Sequence, residues 1–418
     1  MRLSENTIVM RIGLDDTDHP DFGCTTERMD NLIQKIIEKI GARIIERRLV
    51  RLWPFAERRT RGNGALGALI EINRNELQAF VNVCKIWFSE TSSTIESYPK
   101  TEFEPSPCLV ISQSPTPESW YWDSVRGAVD VKNRIADVSE HDCTIIGSGL
   151  CWGVVGASAA ISWRPNDSSS WELIAWRKKS LIGTHRKVSK KAVSELELNH
   201  PETFVNRDPT KGKSMIAPRT PCPVLYGIRG SSKDAVSNAH EWLQERSDVE
   251  ESHSFAAHLT NQLSDDHIES ISSGTIISPP VETKGGHSYA IAFSGEKNSR
   301  IVAFSEGGPV NRLLRSLNAG DIVSWTGLES PDGAIHLEKL RLDDRTPIIN
   351  GRPKCCSRTM RSLGKGQDLR CKICDNRMPR LWITSSDPEE SMEMVGKWVE
   401  PNPSNRRHLS RPISLGLM

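Results

Sequence analysis

Gly13-Leu14-Asp15-Asp16-Thr17-Asp18-His19-Pro20-Asp21-Phe22-Gly23-Cys24-Thr25-Thr26 links an apolar run, Ile8 to Leu14, to a segment in which Met29, Leu32, Ile33, Ile36, Ile37 and Ile40 recur. The run reads as a buried strand, and the recurrence is the spacing of an amphipathic helix. A strand, loop and helix in that order put the loop at the carboxyl end of a strand and facing a helix N-terminus, where phosphates are commonly held. Asp15, Asp16 and Asp18 offer hard oxygens of the kind magnesium takes together with substrate phosphates. Thr25 and Thr26 fall where the helix begins, so their hydroxyls can cap it, bind a phosphate or accept one. The same residues also suit plain Asx turns and caps.

Further along, Arg48 to Trp53 and Leu66 to Ile72 read as strands on either side of Arg58-Arg59-Thr60-Arg61-Gly62-Asn63-Gly64-Ala65. Gly62-Asn63-Gly64 fits a tight turn with positive φ. It also fits a loop whose amides approach a phosphate while Arg61 adds charge and paired donors. Helical patterns cover Asn75 to Ser89 and Glu118 to Lys132, and Gly149 to Ile161 forms a helix of small residues. With strands at Cys108 to Ile111 and Trp171 to Trp176, the alternation predicts a mixed α/β layer architecture. Lys178 to Pro223 is loop-like. Val224 to Ile228, Ser231 to Arg246 and Ser252 to Ala257 then make a strand, a helix and a strand of ferredoxin-like size.

Between Gly274 and Leu342 five short strands and one helix-compatible piece, Val310 to Leu317, match a small OB-type barrel, a platform for looped nucleic acid. Trp325 and Tyr289 lie on its strands and are possible stacking residues. Cys371-Lys372-Ile373-Cys374 has the spacing of a zinc knuckle, and 14 residues separate it from Cys355-Cys356, the loop length of a zinc ribbon. The first knuckle is displaced: Pro353 stands three residues before Cys356, and the extra thiol is adjacent at Cys355. Zinc held by all four sulfurs, or by three and another ligand, is the expectation. Lys plus Arg (54) and Asp plus Glu (53) nearly cancel, yet Gly351 to Arg380 carries nine basic residues against two acidic ones, the footprint of a nucleic-acid contact. Ten cysteines in a chain of 418 residues do not make a disulfide scaffold, and no stretch is apolar enough for a membrane span. A cytoplasmic protein is expected.

Ile12 to Asp18, Gly23-Cys24-Thr25-Thr26, Thr60 to Ala65, Pro223-Val224-Leu225-Tyr226-Gly227-Ile228-Arg229-Gly230 and the terminal Cys cluster, in this order, resemble the archaeal TiaS family of isoleucine-tRNA agmatinylcytidine synthetases. The resemblance implies a kinase-like α/β domain (8–178), a ferredoxin-like domain (179–270), an OB-fold (271–346), a zinc ribbon (347–380) and a polar, disordered tail (381–418). It implies replacement of the C2 oxo group of the wobble cytidine in a CAU-anticodon isoleucine tRNA by agmatine, with ATP giving AMP and phosphate. Asp15, Asp16 and Asp18 would hold magnesium and ATP, and Thr25 would take a phosphate, with Thr26 as the neighbouring alternative. Arg61, Gly62, Asn63 and Gly64 would meet the nucleotide phosphates. Asp208, in Phe204-Val205-Asn206-Arg207-Asp208, would meet the agmatine guanidinium, although an Asp capping a turn before Pro209 fits as well. Leu150-Cys151-Trp152-Gly153 departs from a family Asn-Gly-Arg-Gly sequence and loses a basic contact there.

The chemistry is consistent with that assignment. A cytosine C2 oxygen leaves poorly unless it is first made a phosphate ester, and phosphoryl transfer calls for positioning and charge neutralisation more than for protein nucleophiles. The base must also leave the anticodon stack. Two other readings are a non-catalytic nucleic-acid-binding protein and a magnesium-dependent small-molecule phosphotransferase. Three carboxylates facing a polyanion argue against the first, and the C-terminal third argues against the second.

Overall fold

The computed structural model describes residues 6–59, 62–167, 169–380, 383–385 and 394–417. Arg61 lies outside them. The chain divides into two compact units, at Glu269/Ser270 and again at Pro401/Asn402, the last stretch returning to the first unit.

The first unit is built on one nine-stranded sheet. Its strands are β1 (Thr7–Asp15), β2 (Arg43–Arg51), β3 (Gly64–Asn73), β4 (Cys108–Ser112), β5 (Thr144–Gly147), β6 (Ser170–Trp176), β7 (Thr203–Phe204), β10 (Val224–Gly230) and β11 (Ser254–Thr260), with β8 (Arg207–Asp208) and β9 (Lys213–Ser214) forming a separate ribbon. The order is β5-β4-β1-β3-β2-β11-β6-β10-β7. Its two halves join through the parallel pairing of β2 with β11, Arg48 opposite Leu259. The strand over Trp171 to Trp176, grouped by the sequence with the first domain, therefore sits inside the second half.

Among the described residues seven helices cover this sheet: α1 (Thr25–Ile40), α2 (Leu77–Glu96), α3 (Ser119–Arg126), α4 (Val131–Glu140), α5 (Val154–Ser162), α6 (Lys190–Asn199) and α7 (Lys233–Gln244). On one face Ile8, Met10, Ile12 and Leu14 of β1 pack with Met29, Leu32, Ile33 and Ile36 of α1, as the two periodicities require. On the other, α5 lies almost on the backbone. Gly13 and Gly67 are cross-strand partners, and a Cβ on Gly13 would stand 2.0 Å from the Ala157 carbonyl oxygen. The small residues of α5 thus serve close approach of helix to sheet.

Three local readings are corrected. The helix over Glu118 to Lys132 is two helices, because the Asp130 side chain caps a new start by accepting the Asn133 N–H at 2.9 Å. The loop-like stretch after Lys178 contains α6, capped by Ser189 and burying Ala192, Val193 and Leu196. Residues 402–417 are not a disordered tail: Leu409 is buried with Val50, Tyr121 and Trp163, and Leu263 and Asp265 donate their N–H groups to the carbonyls of His408 and Leu409. Their partners lie far away in sequence, so no local pattern announces them.

In the second unit β12 (Ser272–Ile276), β14 (Ser288–Phe293), β15 (Asn298–Ala303), β16 (Ile322–Glu329) and β17 (Ile335–Asp344) follow the order β12-β16-β17-β15-β14, with β13 (Val281–Glu282) outside β14. Pairing of β12 with β14 closes five strands into a barrel. Helix α8 (Pro309–Arg315) packs its Val310, Leu313 and Leu314 into the barrel core. Trp325 belongs to that core at 2 % exposure and is unavailable for stacking. Tyr289 is half-buried under the Arg300 guanidinium, 4.9 Å from its ring centre. Among the described residues no helix is long and apolar enough to cross a membrane.

Candidate active site

The acidic loop leaves β1 at Asp15 and turns at once, Asp16 adopting φ +56°. Asp15, Asp16 and Asp18 line a cavity of about 600 Å³ together with Thr25, Thr26, Gly62, Asn63 and Gly64. The expected phosphate-site residues among those described are therefore brought together, without Asp208. Burial, reinforced by neighbouring Asp16 and Asp18, pushes the Asp15 carboxyl well above the usual range. Burial and the Asp18 charge push Asp16 to about 7, against the pull of the Ser106 N–H and Arg58. Carboxylates crowded and desolvated in this way are a hard-oxygen donor set short of positive charge, which suits a divalent cation.

The threonine pair does not cap α1. Cys24 is the N-cap residue, in extended conformation and without a side-chain cap bond. Thr25 Oγ1 receives a hydrogen bond from Thr17 Oγ1 at 3.0 Å and donates to Asp18 Oδ1 at 2.9 Å. Thr26 Oγ1 accepts the Trp176 indole N–H at 3.0 Å. The two hydroxyls are thus assigned differently, one to the carboxylates and one to the core.

The turn reading of Gly62-Asn63-Gly64 is also corrected. Arg51 pairs with Gly64, so twelve residues rather than a two-residue turn separate β2 from β3, and the Leu52 N–H donates to the Asn63 carbonyl at 3.0 Å. Positive φ falls on Asn63 rather than on either glycine. A Cβ on Gly62 would meet Arg51 Nη1 at 2.3 Å, so a side chain there would displace the Arg51 guanidinium.

Several cavity residues went unnoticed in the sequence. Arg51 and Arg229 flank Glu172, at 3.3 Å and 3.5 Å from its two oxygens. Two guanidiniums on one carboxylate leave a surplus positive charge on this part of the wall of the cavity that holds the acidic loop. Gln262 contacts Glu172, accepts from Arg229 Nε at 3.0 Å and pairs with His408 Nδ1 at 3.3 Å. Burial and the two arginines hold His408 well below the usual histidine range, so it is neutral. His408 comes from the returning C-terminal segment, and no spacing rule links it to Arg51.

Asp208 has other partners. Its Oδ1 accepts Thr210 N–H at 2.9 Å and Thr210 Oγ1 at 2.6 Å, the turn across Pro209 that was the alternative reading. Its Oδ2 accepts the Ser404 N–H at 3.2 Å. Burial opposes ionisation, but the bonds from Ser404 and Thr210 hold the carboxyl at about 2. Asp208 is not among the residues lining the cavity.

In the second unit the displaced knuckle closes after all. Cys356 and Ser357 take φ of +48° and +62°, and the sulfurs of Cys355, Cys356, Cys371 and Cys374 lie within 4.8 Å of one another. Cys355 Sγ is 3.5 Å from Cys374 Sγ and 4.0 Å from Cys356 Sγ. A tetrahedral zinc with ~2.3 Å Zn–S bonds separates its sulfurs by about 3.8 Å, so the donor set fits. Backbone N–H groups of Cys374 and Ile373 draw the Cys371 thiol down to about 7, which favours the thiolate a metal needs.

An α/β unit with an acidic nucleotide-type cavity, followed by a five-stranded barrel and a four-cysteine cluster, defines a multidomain nucleotide-dependent enzyme with nucleic-acid-binding modules. Two family models match the chain, the TiaS TCKD domain over residues 11–148 and the TiaS FLD domain over 152–267. The chain belongs to the TiaS family. It is 31 % identical to the isoleucine-tRNA 2-agmatinylcytidine synthetase TiaS of Methanopyrus kandleri, over 97 % of this chain and 98 % of that protein. It is 30 % identical to the enzyme of the same name from Thermococcus sibiricus, over 98 % and 96 %. Among solved structures it resembles apo TiaS, an isoleucine-tRNA agmatidine synthetase, at 26 % identity, TM-score 0.77 and 97 % of each chain. The complex of TiaS with its isoleucine tRNA and ATP is similar at 25 % identity, TM-score 0.82 and 98 % of each chain.

Proposed function

We propose that this chain is the ATP-dependent ligase that attaches agmatine to C2 of the wobble cytidine in a CAU-anticodon isoleucine tRNA, so that the anticodon reads AUA. The observation that carries the reading is the convergence of Asp15, Asp16, Asp18, Thr25 and the Gly62 to Gly64 loop on one cavity. That is the equipment of phosphoryl transfer, where catalysis is mostly positioning and charge neutralisation.

Asp15, Asp16 and Asp18 would hold magnesium, whose charge would neutralise the phosphates of bound ATP. Thr25 is the phosphate acceptor in this reading, because its hydroxyl proton already points to Asp18 Oδ1 while Thr26 is engaged by Trp176. Arg51 and Arg229 add cavity-facing positive charge beside the Gly62 to Gly64 loop, a role expected of Arg61. In going to AMP, ATP gives up two phosphoryl groups. One is carried by Thr25 and released by hydrolysis. The other passes to the C2 oxygen and makes it a phosphate leaving group; the amine nitrogen of agmatine then bonds to C2 and loses a proton as the C2–O bond breaks and phosphate departs. The kinase-like division of the first unit, its ferredoxin-like second half and a zinc ribbon at Cys355, Cys356, Cys371 and Cys374 belong to the same reading. The cysteine cluster and barrel would hold the tRNA through phosphates and stacking. Asp208 is reassigned: it anchors the C-terminal segment through Ser404 and so supports His408 in the cavity wall.

Labelled agmatine, ATP, magnesium and the CAU-anticodon transcript test the reading. Label entering the tRNA supports it. ATP consumed without label in the tRNA supports the phosphotransferase instead, and neither event supports a binding protein.

A further inference from the structure

At the rim of the cavity three planar groups from separate loops stand together. The Arg58 guanidinium lies 5.0 Å from the centre of the Trp152 ring and 5.4 Å from that of Phe103. Its Nη2 donates to the Glu104 carbonyl at 2.8 Å. Trp152 is nevertheless 39 % exposed and Phe103 37 %. Arg58 and Trp152 both line the cavity that contains Asp15, Asp16 and Asp18. Trp152 thus lines the cavity beside a cation while more than a third of its surface stays exposed, leaving a π face free to take a planar ligand.

The platform is tied to the acidic loop through one residue. Ser106 donates its backbone N–H to Asp16 Oδ2 at 3.1 Å and accepts the Trp152 backbone N–H on its Oγ at 3.0 Å. The Gly153 N–H also donates to the Ser106 carbonyl, at 3.0 Å. Whatever stacks on Trp152 is therefore held in register with the loop that performs the phosphoryl chemistry. The excursion that supplies Arg58 alternates aromatic and basic groups: Trp53 meets Phe55 edge-on at 5.7 Å, and the Arg407 guanidinium covers Phe55 at 4.9 Å. Trp53 Nε1 and Arg58 Nε are buried and have no hydrogen-bond partner among the described residues. Interleaved rings and cations beside the cavity match single-stranded nucleic acid better than an enclosed mononucleotide.

We propose that Trp152, backed by Arg58 and Phe103, is the stacking platform for an unpaired tRNA base drawn out of the anticodon loop. The proposal rests on the function given above and adds the residues that receive the base. Unpaired bases are held on aromatic faces and guanidinium planes, and one such stack offsets much of the cost of leaving the anticodon stack.

The test compares the full-length protein with Trp152→Leu, which keeps apolar bulk without a π face, and Trp152→Phe, which keeps the face. Agmatine incorporation is measured against tRNA and against ATP concentration, and thermal midpoints are recorded for each protein. Trp152→Leu is expected to raise the KM for tRNA about tenfold while the KM for ATP stays within twofold, and Trp152→Phe to recover most of the loss. Equal tRNA KM values for the two variants overturn the proposal, as does a rise confined to the KM for ATP, which would assign the ring to adenine. Should Trp152→Leu unfold, Trp152→Gln, at a side chain 39 % exposed, takes its place with the same outcomes: a KM for tRNA raised about tenfold and recovered by Trp152→Phe supports the platform, and a KM equal to that of Trp152→Phe overturns it. A wild type that incorporates no agmatine removes the underlying function and the platform with it, and is seen before any variant is made.

Discussion

Thr25 Oγ1 donates to Asp18 Oδ1 across 2.9 Å, so a carboxylate is already in place to take the proton that a phosphate acceptor must lose. Replacing Thr25 by Ala or Val is expected to abolish phosphate incorporation and tRNA modification, and Thr25→Ser to retain part of both. Thr26→Ala instead strands the buried Trp176 N–H and costs about 1–3 kcal/mol of stability, with the phosphorylation site unchanged. Phosphopeptide mass spectrometry and denaturant titration distinguish the two positions.

Asp16 titrates near 7 in the fold because it is buried and beside Asp18, against about 3.9 in an unfolded chain. The folded state therefore holds a proton that the unfolded state releases. This contribution to stability is complete below about pH 4 and is lost as pH rises through about 7. Without magnesium, Asp16→Asn should flatten part of the decline in thermal midpoint across that window. Magnesium competes for the same oxygens, so calorimetry should show its apparent affinity falling at least tenfold per pH unit below 7, since the raised Asp15 carboxyl must lose its proton as well.

A Cβ on Gly156 would stand 2.0 Å from Asp15 Oδ2, and one on Gly13 the same distance from the Ala157 carbonyl. Gly13→Ala should cost about 3 kcal/mol or more in urea denaturation, because helix and sheet must separate. Gly156→Ala should displace the Asp15 carboxylate, reducing activity about a hundredfold, the scale of a ~1 Å misplacement of catalytic geometry.

Asp208→Asn separates the anchor role from the guanidinium role. Weakening the bonds to Thr210 and Ser404 should lower the thermal midpoint and raise the KM for ATP, while the KM for agmatine stays within about threefold. A selective rise in the agmatine KM would restore the guanidinium assignment.

The cysteine cluster should bind one zinc per chain. Cys356→Ser should weaken binding in a chelator competition at least tenfold if the displaced thiol is the fourth ligand, and Cys355→Ser likewise. A Cys356→Ser protein with wild-type affinity would show that three thiols suffice.

The acidic loop, its flanking elements, the barrel and the cysteine cluster were legible because each is specified locally. Periodicity marked β1 and α1, and turn residues separated the barrel strands. Arg51, Glu172, Gln262 and His408 were not legible, since the parallel joint between β2 and β11 and the returning C-terminal segment bring them together from four distant places. The partners of Asp208 were not legible because a carboxylate in a loop looks the same in sequence whether it faces a ligand or caps a turn. Trp152 was read as a lost basic contact, whereas the charge stands beside it on Arg58, 94 residues earlier.

The most direct test is the wobble nucleoside itself. Full-length protein is incubated with the CAU-anticodon isoleucine transcript, ATP, magnesium and agmatine, and the digested tRNA is analysed by mass spectrometry. The expected product is cytidine in which agmatine has replaced the C2 oxygen, at the wobble position alone, and it should be lost in Asp15→Ala, Asp16→Ala and Thr25→Ala. Unmodified cytidine from the wild type, or modification that survives Asp16→Ala, would contradict the assignment of this chain as the agmatine ligase.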